Sequence, residues 1–360
     1  IVAENYDEYA TIDDGSCVYP LIESEPKVLI IGIDGVRSDV AELSSQREGS
    51  AFSHMVENGA WTYDSMVGPI SLSGPSWSSM LTGEWCDRHG VTDNSFEGSR
   101  HSSVPDIFEV IEGANPDMRT ASVVYWSKID EEIIGAGTAD IQERYDLDVD
   151  IRDRAIELIS QDVELDVLFV SLDNPDAKGH EFGFSPDVPE YVAAVEQADD
   201  MAASILAALE ARNLGEDWVV IITSDHGGGG ERIRAHSPST EIDRTTFMMV
   251  KGGNTVQGEM NGSQVVDVAV TTLVHLNLSG VDTESLDGRP LAFNPNVDSA
   301  REPVCVRIVD EGGVLTVAGV RLEWWHIGVL CAAFLSICVA SIAWYIRRKE
   351  SEIVEFDELE

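Results

Sequence analysis

Four unbroken apolar runs constrain the fold of this chain more than anything else in it: Val28 to Ile33, Thr120 to Trp126, Asp166 to Leu172 and Trp218 to Thr223. A strand with one wet face alternates apolar and polar residues. A continuous run buries both faces, as a central parallel strand does. Parallel neighbours need long crossovers, and helical stretches at roughly 103–112, 151–161 and 189–212 separate the runs. The last places Val192, Val195, Met201, Ile205 and Leu209 at helical spacing. The alternation predicts an α/β fold: a doubly wound, mostly parallel sheet with helices on both faces. Ligands of such sheets bind beyond the carboxyl ends of the strands.

Chemistry-bearing side chains gather at those ends. Asp34 closes the first run, where by itself it serves equally well as a helix cap. Asp225 and His226 close the fourth, before a glycine run that lets the chain fold back, and His236 follows beyond it. Asp176 and His180 stand four apart after the third run, a spacing that brings both to one ion. Mixed imidazole and carboxylate ligands suit Zn²⁺ better than Ca²⁺ or Mg²⁺. Three Asp and three His suffice for two zinc ions with open positions, an arrangement that can clamp the attacking and leaving oxygens of an in-line displacement. In Ser73-Gly74-Pro75, a serine at a helix N-terminus would meet a phosphate where free N–H groups favour one. The same serine also reads as a plain helix cap, and Ser76, Ser78 and Ser79 leave the choice of nucleophile open.

Charge and the chain's ends narrow its setting. Sixty-five acidic residues against 23 basic ones give a formal net charge of −42, which argues against polymeric nucleic acid as a partner. Ile327 to Ile346 is 20 residues without a charge, enough to cross a bilayer as a helix. Aromatic residues flank it, and Arg347, Arg348 and Lys349 follow, which places them in the cytoplasm and the large domain outside. A signal peptide upstream of Ile1 is then expected. The expected organisation is a remnant of a surface repeat at 1–20, a catalytic ectodomain at 26–322, a transmembrane helix at 324–346 and a short acidic cytoplasmic tail at 347–360. The first segment, with Asp13-Asp14-Gly15-Ser16-Cys17, resembles the end of a short Asp/Cys-rich repeat of marine microbial surface proteins. Its aspartates suit a calcium ion or a polar turn equally. A hairpin, Val304 to Val309 and Val314 to Val320, is expected to close the ectodomain. Of five cysteines, Cys331 and Cys338 lie in the span. Cys17, Cys86 and Cys305 lie outside, where disulfides persist. A Cys86–Cys305 bridge is expected, though spacing does not decide the pairing.

Read together and in order, the motifs resemble the alkaline phosphatase superfamily, nearest its type I phosphodiesterase/nucleotide pyrophosphatase branch. They are Ile31-Gly32-Ile33-Asp34-Gly35, Ser73-Gly74-Pro75 with Leu81-Thr82-Gly83, His89-Gly90-Val91 with Asp93-Asn94-Ser95-Phe96, Asp176 to His180, Asp225-His226-Gly227, His236, and Leu286-Asp287-Gly288-Arg289. The resemblance implies that Asp176, His180 and His236 bind one zinc, and Asp34, Asp225 and His226 the other. It implies a phosphoseryl intermediate on Ser73 and an Asn94 hydrogen bond to a non-bridging phosphoryl oxygen. The implied substrate is a small phosphate ester or nucleotide-like molecule, met at the outer cell surface. The chain departs from the branch in carrying Ser73 where threonine is usual. Trp77 stands where sulfatases carry arginine. No arginine sits in the motifs around Asp34, Ser73, Asp176 and Asp225 to pair with a monoester dianion, so a diester or pyrophosphate is favoured. Lys128 either restores that charge pairing or is a surface lysine. A phosphomonoesterase, a phospho-headgroup transferase and a non-catalytic surface binding protein are the competing readings.

Overall fold

The computed structural model describes residues 25–212, 216–237 and 239–291, and the backbone of three short strands between 306 and 323. The expectations for 1–20, for the membrane helix, for the cytoplasmic tail and for Cys17 and Cys305 lie outside the described residues. Among those described, no helix is long and apolar enough to cross a membrane.

One sheet of nine strands organises the molecule: β1 (Pro26–Ile33), β2 (Ala60–Met66), β3 (Arg119–Val124), β4 (Ile141–Arg144), β5 (Leu165–Leu172), β6 (Asp217–Thr223), β7 (Thr245–Lys251), β8 (Gly258–Glu259) and β9 (Ser263–Gln264). Their order is β4-β3-β5-β1-β6-β7-β2-β8, with β9 also on β2. β4, β3, β5, β1 and β6 pair in parallel. β7 runs against both β6 and β2, so the sheet is mixed. The helices are α1 (Ser38–Ser44), α2 (Ala51–Asn58), α3 (Ser73–Thr82), α4 (Cys86–His89), α5 (Ile107–Ala114), α6 (Asp148–Gln161), α7 (Asn174–Phe182), α8 (Pro189–Arg212), α9 (Glu241–Arg244) and α10 (Asp267–Leu276).

β1 shows why both faces must be covered. Val28 and Ile30 join the core beneath α3, α5 and α10, while Leu29, Ile31 and Ile33 join the core beneath α1, α2, α6 and α8. All five are fully buried. Each such side chain contributes about 1.5–3 kcal/mol through burial, so a charge on either face of β1 is excluded.

The element ends differ from the sequence expectation where side chains cap or release the backbone. The helix expected from 103 begins at Ile107, because Asp106 accepts the Phe108 N–H at 2.8 Å and so starts the helix there. β3 stops at Val124, freeing Tyr125 and Trp126 from the sheet. The expected closing hairpin is a separate three-stranded antiparallel sheet, β10 (Val306–Val309), β11 (Val314–Val317) and β12 (Val320–Glu323). The stretch expected as one strand is divided between the last two.

Candidate active site

Register brings the site together. β1 pairs Ile33 with Leu172 of β5 and Gly32 with Thr223 of β6, so three neighbouring strands end at one level. Asp34 follows at once, its N–H donating to the Leu172 carbonyl at 2.8 Å. Gly35 then turns the chain with φ +71° and donates its N–H to Asp225 Oδ1 at 3.2 Å. A Cβ at Gly35 would lie 2.8 Å from the Asp176 backbone, so glycine is required by both conformation and space.

Asp176 and His180 sit one turn apart on α7, with His180 Nε2 3.4 Å from Asp176 Oδ2. On the loop after β6, His226 Nε2 lies 3.3 Å from Asp34 Oδ1, 3.5 Å from Asp225 Oδ2 and 4.0 Å from Asp176 Oδ1. The glycine run folds back as expected, and the His236 ring stacks on His226 at 3.8 Å. His236 Nε2 is 3.9 Å from Asp176 Oδ1. Two compact groups of potential ligand atoms result: Asp34, Asp225 and His226, and Asp176, His226 and His236. His180 stands at the margin, 46 % of its side chain exposed, beside the second group. His226 belongs to both groups, yet an imidazole nitrogen has one lone pair.

The residues fit metal ions, and the fit rests on unsatisfied atoms. Asp34 Oδ1, Asp176 Oδ1 and Asp225 Oδ2 are buried without a hydrogen-bond partner. Leaving such a carboxylate oxygen unpaired is costly unless a cation meets it. The three histidines are oriented alike. Nδ1 of His226 faces the Gly227 carbonyl at 2.8 Å, Nδ1 of His180 faces that of Arg234 at 3.0 Å, and Nδ1 of His236 faces that of Ser71. A carbonyl can only accept, so each Nδ1 carries the proton and each Nε2 keeps a lone pair for a metal.

Electrostatics agree. Burial, then Asp225 and Asp176, hold Asp34 well above the usual carboxylate range. Burial pushes both Asp176 and Asp225 up to about 7. It lowers His226 to about 4 and, with His226 beside it, His236 further. Carboxylates reluctant to ionise beside imidazoles reluctant to protonate make a poor ion-pair cluster and a good cation site.

Ser73 is the first residue of α3, and its Oγ is 3.3 Å from His226 Nε2. The nearby serines are placed otherwise. Ser78 and Ser79 are engaged by His101 and His89, and Ser76 is buried. Asn94 Oδ1 accepts the Gly74 N–H at 2.8 Å, which commits the oxygen and leaves the amide NH₂ free to donate. Three supporting roles escaped the sequence reading. Trp77 Nε1 donates to Asp34 Oδ2 at 3.3 Å. Ser224 Oγ receives the Val36 N–H at 2.9 Å and donates to the His226 carbonyl at 2.9 Å. Ser71 holds His236 through its carbonyl and its Oγ. The only signal for them was adjacency to the ligands and to Ser73.

A family profile described as type I phosphodiesterase / nucleotide pyrophosphatase matches residues 28–264. The chain belongs to this family. Among its relatives, the bis(5′-adenosyl)-triphosphatase enpp4 of Mus musculus is 25 % identical over 246 residues, covering 63 % of this chain and 53 % of the relative. The Homo sapiens ENPP4 is 26 % identical over 220 residues, covering 56 % and 47 %. The chain thus spans about half the length of the curated relatives it matches. Among solved structures, an inactive form of murine ectonucleotide pyrophosphatase/phosphodiesterase 5 in complex with AMP superposes with a TM-score of 0.57 at 14 % identity, covering 72 % of this chain and 96 % of that one. A 2-O GAG sulfatase gives a TM-score of 0.61 at 14 % identity, covering 78 % and 77 %. At that identity both establish the alkaline-phosphatase-like fold and nothing more.

Proposed function

We propose that this family member hydrolyses phosphodiester or phosphoanhydride bonds of small nucleotide-like substrates, through a phosphoseryl intermediate on Ser73, with two zinc ions, at the outer face of a cell membrane. The observation that carries the reading is the set of three unpartnered carboxylate oxygens around His226 Nε2, which itself lies 3.3 Å from the Ser73 hydroxyl at a helix N-terminus.

Asp34, Asp225 and His226 would hold the ion nearer Ser73. Because His226 Nε2 serves one ion only, His180 completes the other set with Asp176 and His236. When bound, the two ions supply Lewis-acid stabilisation of the charge on the attacking and leaving oxygens. The remaining work belongs to the chain. Trp77 and the Gly35 N–H fix the Asp34 and Asp225 carboxylates, so no reorganisation is needed as charge develops. Ser73 Oγ loses its proton to solvent and bonds to phosphorus, and the leaving oxygen departs with the electron pair. Water then cleaves the Oγ–P bond from the opposite side and restores the hydroxyl. Asn94, anchored by Gly74, aims its NH₂ at a non-bridging oxygen. The helix N-terminus adds its own attraction for the phosphoryl group.

Two facts support a surface location. Cys86 is disulfide-bonded, which fits an oxidising compartment. The uncharged stretch Ile327 to Ile346 supplies the length for an anchor. The reading is tested on the full chain in detergent, by metal content and by turnover of bis-p-nitrophenyl phosphate, p-nitrophenyl phosphate and p-nitrophenyl sulfate. The diester should be preferred. Ser73→Ala should abolish turnover with both metals retained. Full activity in that variant removes Ser73 as the nucleophile, and fewer than two metals per chain removes the two-ion reading.

A further inference from the structure

Lys128 stands out in an acidic molecule whose cations are mostly paired. Lys27, Arg47, Arg119, Arg154, Arg212 and Lys251 each meet a carboxylate. Lys128 forms no such ion pair among the described residues, although Asp130, Glu131 and Glu132 follow it in the short π-helix that it precedes, Ile129–Ile134. Its ammonium instead lies over the Phe96 ring, 5.2 Å from the centroid.

The position of that ring gives the arrangement meaning. Phe96 is two residues past Asn94, whose Oδ1 holds the Gly74 N–H beside Ser73. The two segments are in direct contact: a Cβ on Gly74 would lie 2.9 Å from the Asp93 carbonyl. Phe96 has φ +61°, one of two described non-glycine residues in the left-handed region. It is nearly buried and packs on Trp126 at 6.0 Å. A bulky residue held there is a conformation that surrounding structure must impose. Trp126 and Lys128 follow the carboxyl end of β3, which lies beside β5 and so on the same rim as Asp176. The π-helix after Lys128 packs against α3, which begins at Ser73. Lys128 is therefore a half-buried, unpaired cation propped on an aromatic ring one residue pair beyond Asn94.

We infer that Lys128 is a specificity-determining residue that receives a second phosphate of the substrate, the one joined to the reacting phosphorus through an anhydride oxygen. This rests on the function proposed above and sharpens its substrate class: nucleotides with at least two linked phosphates over simple diesters. The reacting phosphoryl group would already meet Asn94, the α3 N-terminus and the metal set, so a cation propped on Phe96, on the Asn94 side of the site, is the charge left for the adjoining group. An ammonium on an aromatic face is also partly desolvated, which strengthens its hold on an anion.

The test compares diadenosine triphosphate with thymidine 5′-monophosphate p-nitrophenyl ester, which carries one phosphate. It uses the full-length protein and its Lys128→Gln and Lys128→Arg variants. A charged hydrogen bond is worth about 1.5–3 kcal/mol, so Lys128→Gln should raise KM for the triphosphate roughly ten- to hundred-fold. Its kcat should change little, and KM for the nitrophenyl ester should stay within about two-fold. Lys128→Arg should restore most of the loss, which a merely structural role would not do. Calorimetric binding of diadenosine triphosphate to Ser73→Ala protein, with and without Lys128→Gln, gives a readout independent of turnover. Equal losses on both substrates, a loss confined to the nitrophenyl ester, or unchanged binding would overturn the inference. Wild-type protein that turns over neither ester defeats the proposed function instead, and the binding measurement still decides the role of Lys128.

Discussion

Replacing Asp225 by asparagine should stabilise the metal-free protein at alkaline pH and weaken the metal-bound one. Asp225 is fully buried, and burial pushes its carboxyl up to about 7. An acid whose folded pKa is raised favours folding below its unfolded pKa, and that contribution is lost as pH rises through the folded value. From 3.8 to about 7 is roughly three pH units, or about 4 kcal/mol at 1.36 kcal/mol per unit. At pH 5 Asp225 is protonated in the folded state, and asparagine is its near-isostere. The amide oxygen can keep the Gly35 N–H bond. The unfolded acid has already ionised at pH 5, about 1.2 units above 3.8, so the chelated variant should lead chelated wild type by roughly 1–2 kcal/mol there and match it only below 3.8. At pH 8 the variant should be more stable by about 4 kcal/mol, or roughly 8–16 °C in Tm. With zinc the order should reverse, because the ligand that binds the folded state has lost a donor. The overall pH slope is not diagnostic, since burial also raises Glu84 to about 8 and Asp106 to about 7, and neither belongs to the ligand groups. The difference between the two proteins is. Differential scanning fluorimetry at pH 5 and 8, with chelator and with zinc, reads all of it. Equal melting of the two chelated proteins at pH 8 would refute the argument that burial holds Asp225 back from ionising until a cation joins it.

Gly35→Ala should destabilise the protein by more than the roughly 1–2 kcal/mol of the left-handed conformation, because the new methyl meets the Asp176 backbone at 2.8 Å; chemical denaturation and zinc content should fall together. Asn94→Ala should lower kcat roughly 10²–10³-fold with metal content unchanged, as measured by steady-state kinetics and metal analysis; a drop confined to KM would count against transition-state stabilisation. His180→Ala, at an exposed margin, should leave Tm of the chelated protein unaltered while reducing bound zinc from two to one per chain, and two tightly held ions would assign the second site to other ligands.

Much of the site was legible because strands translate sequence into position simply. An apolar run names a central strand, and the residue after it lies on the rim, so Asp34, Asp225 and His226 could be read as neighbours before any coordinates. The α7 pair was legible from helical spacing, although the helix itself was not marked out. Other features were not legible, because nothing local encodes them. The stacking of His236 on His226 depends on a loop that closes through long-range bonds to Ser71. The Trp77 bond to Asp34 depends on α3 crossing the end of β1, and a tryptophan on a helix otherwise reads as plain core. Phe96 in a left-handed conformation carries no sequence mark at all, since side chains of its type avoid that region unless packing holds them there.

By itself, then, the sequence determined which residue types reach the carboxyl edge of the sheet, because the periods of strands and helices are local properties of the chain. Tertiary structure decided how those residues divide. It aligned β1, β5 and β6 so that three carboxylates share one low-dielectric pocket, and it spent each histidine's Nδ1 on a backbone carbonyl. It left His226 between two groups and His180 at their margin. Distances of a few ångströms between segments a hundred or more residues apart follow from how helices pack on both faces of the sheet, and no single segment contains that information.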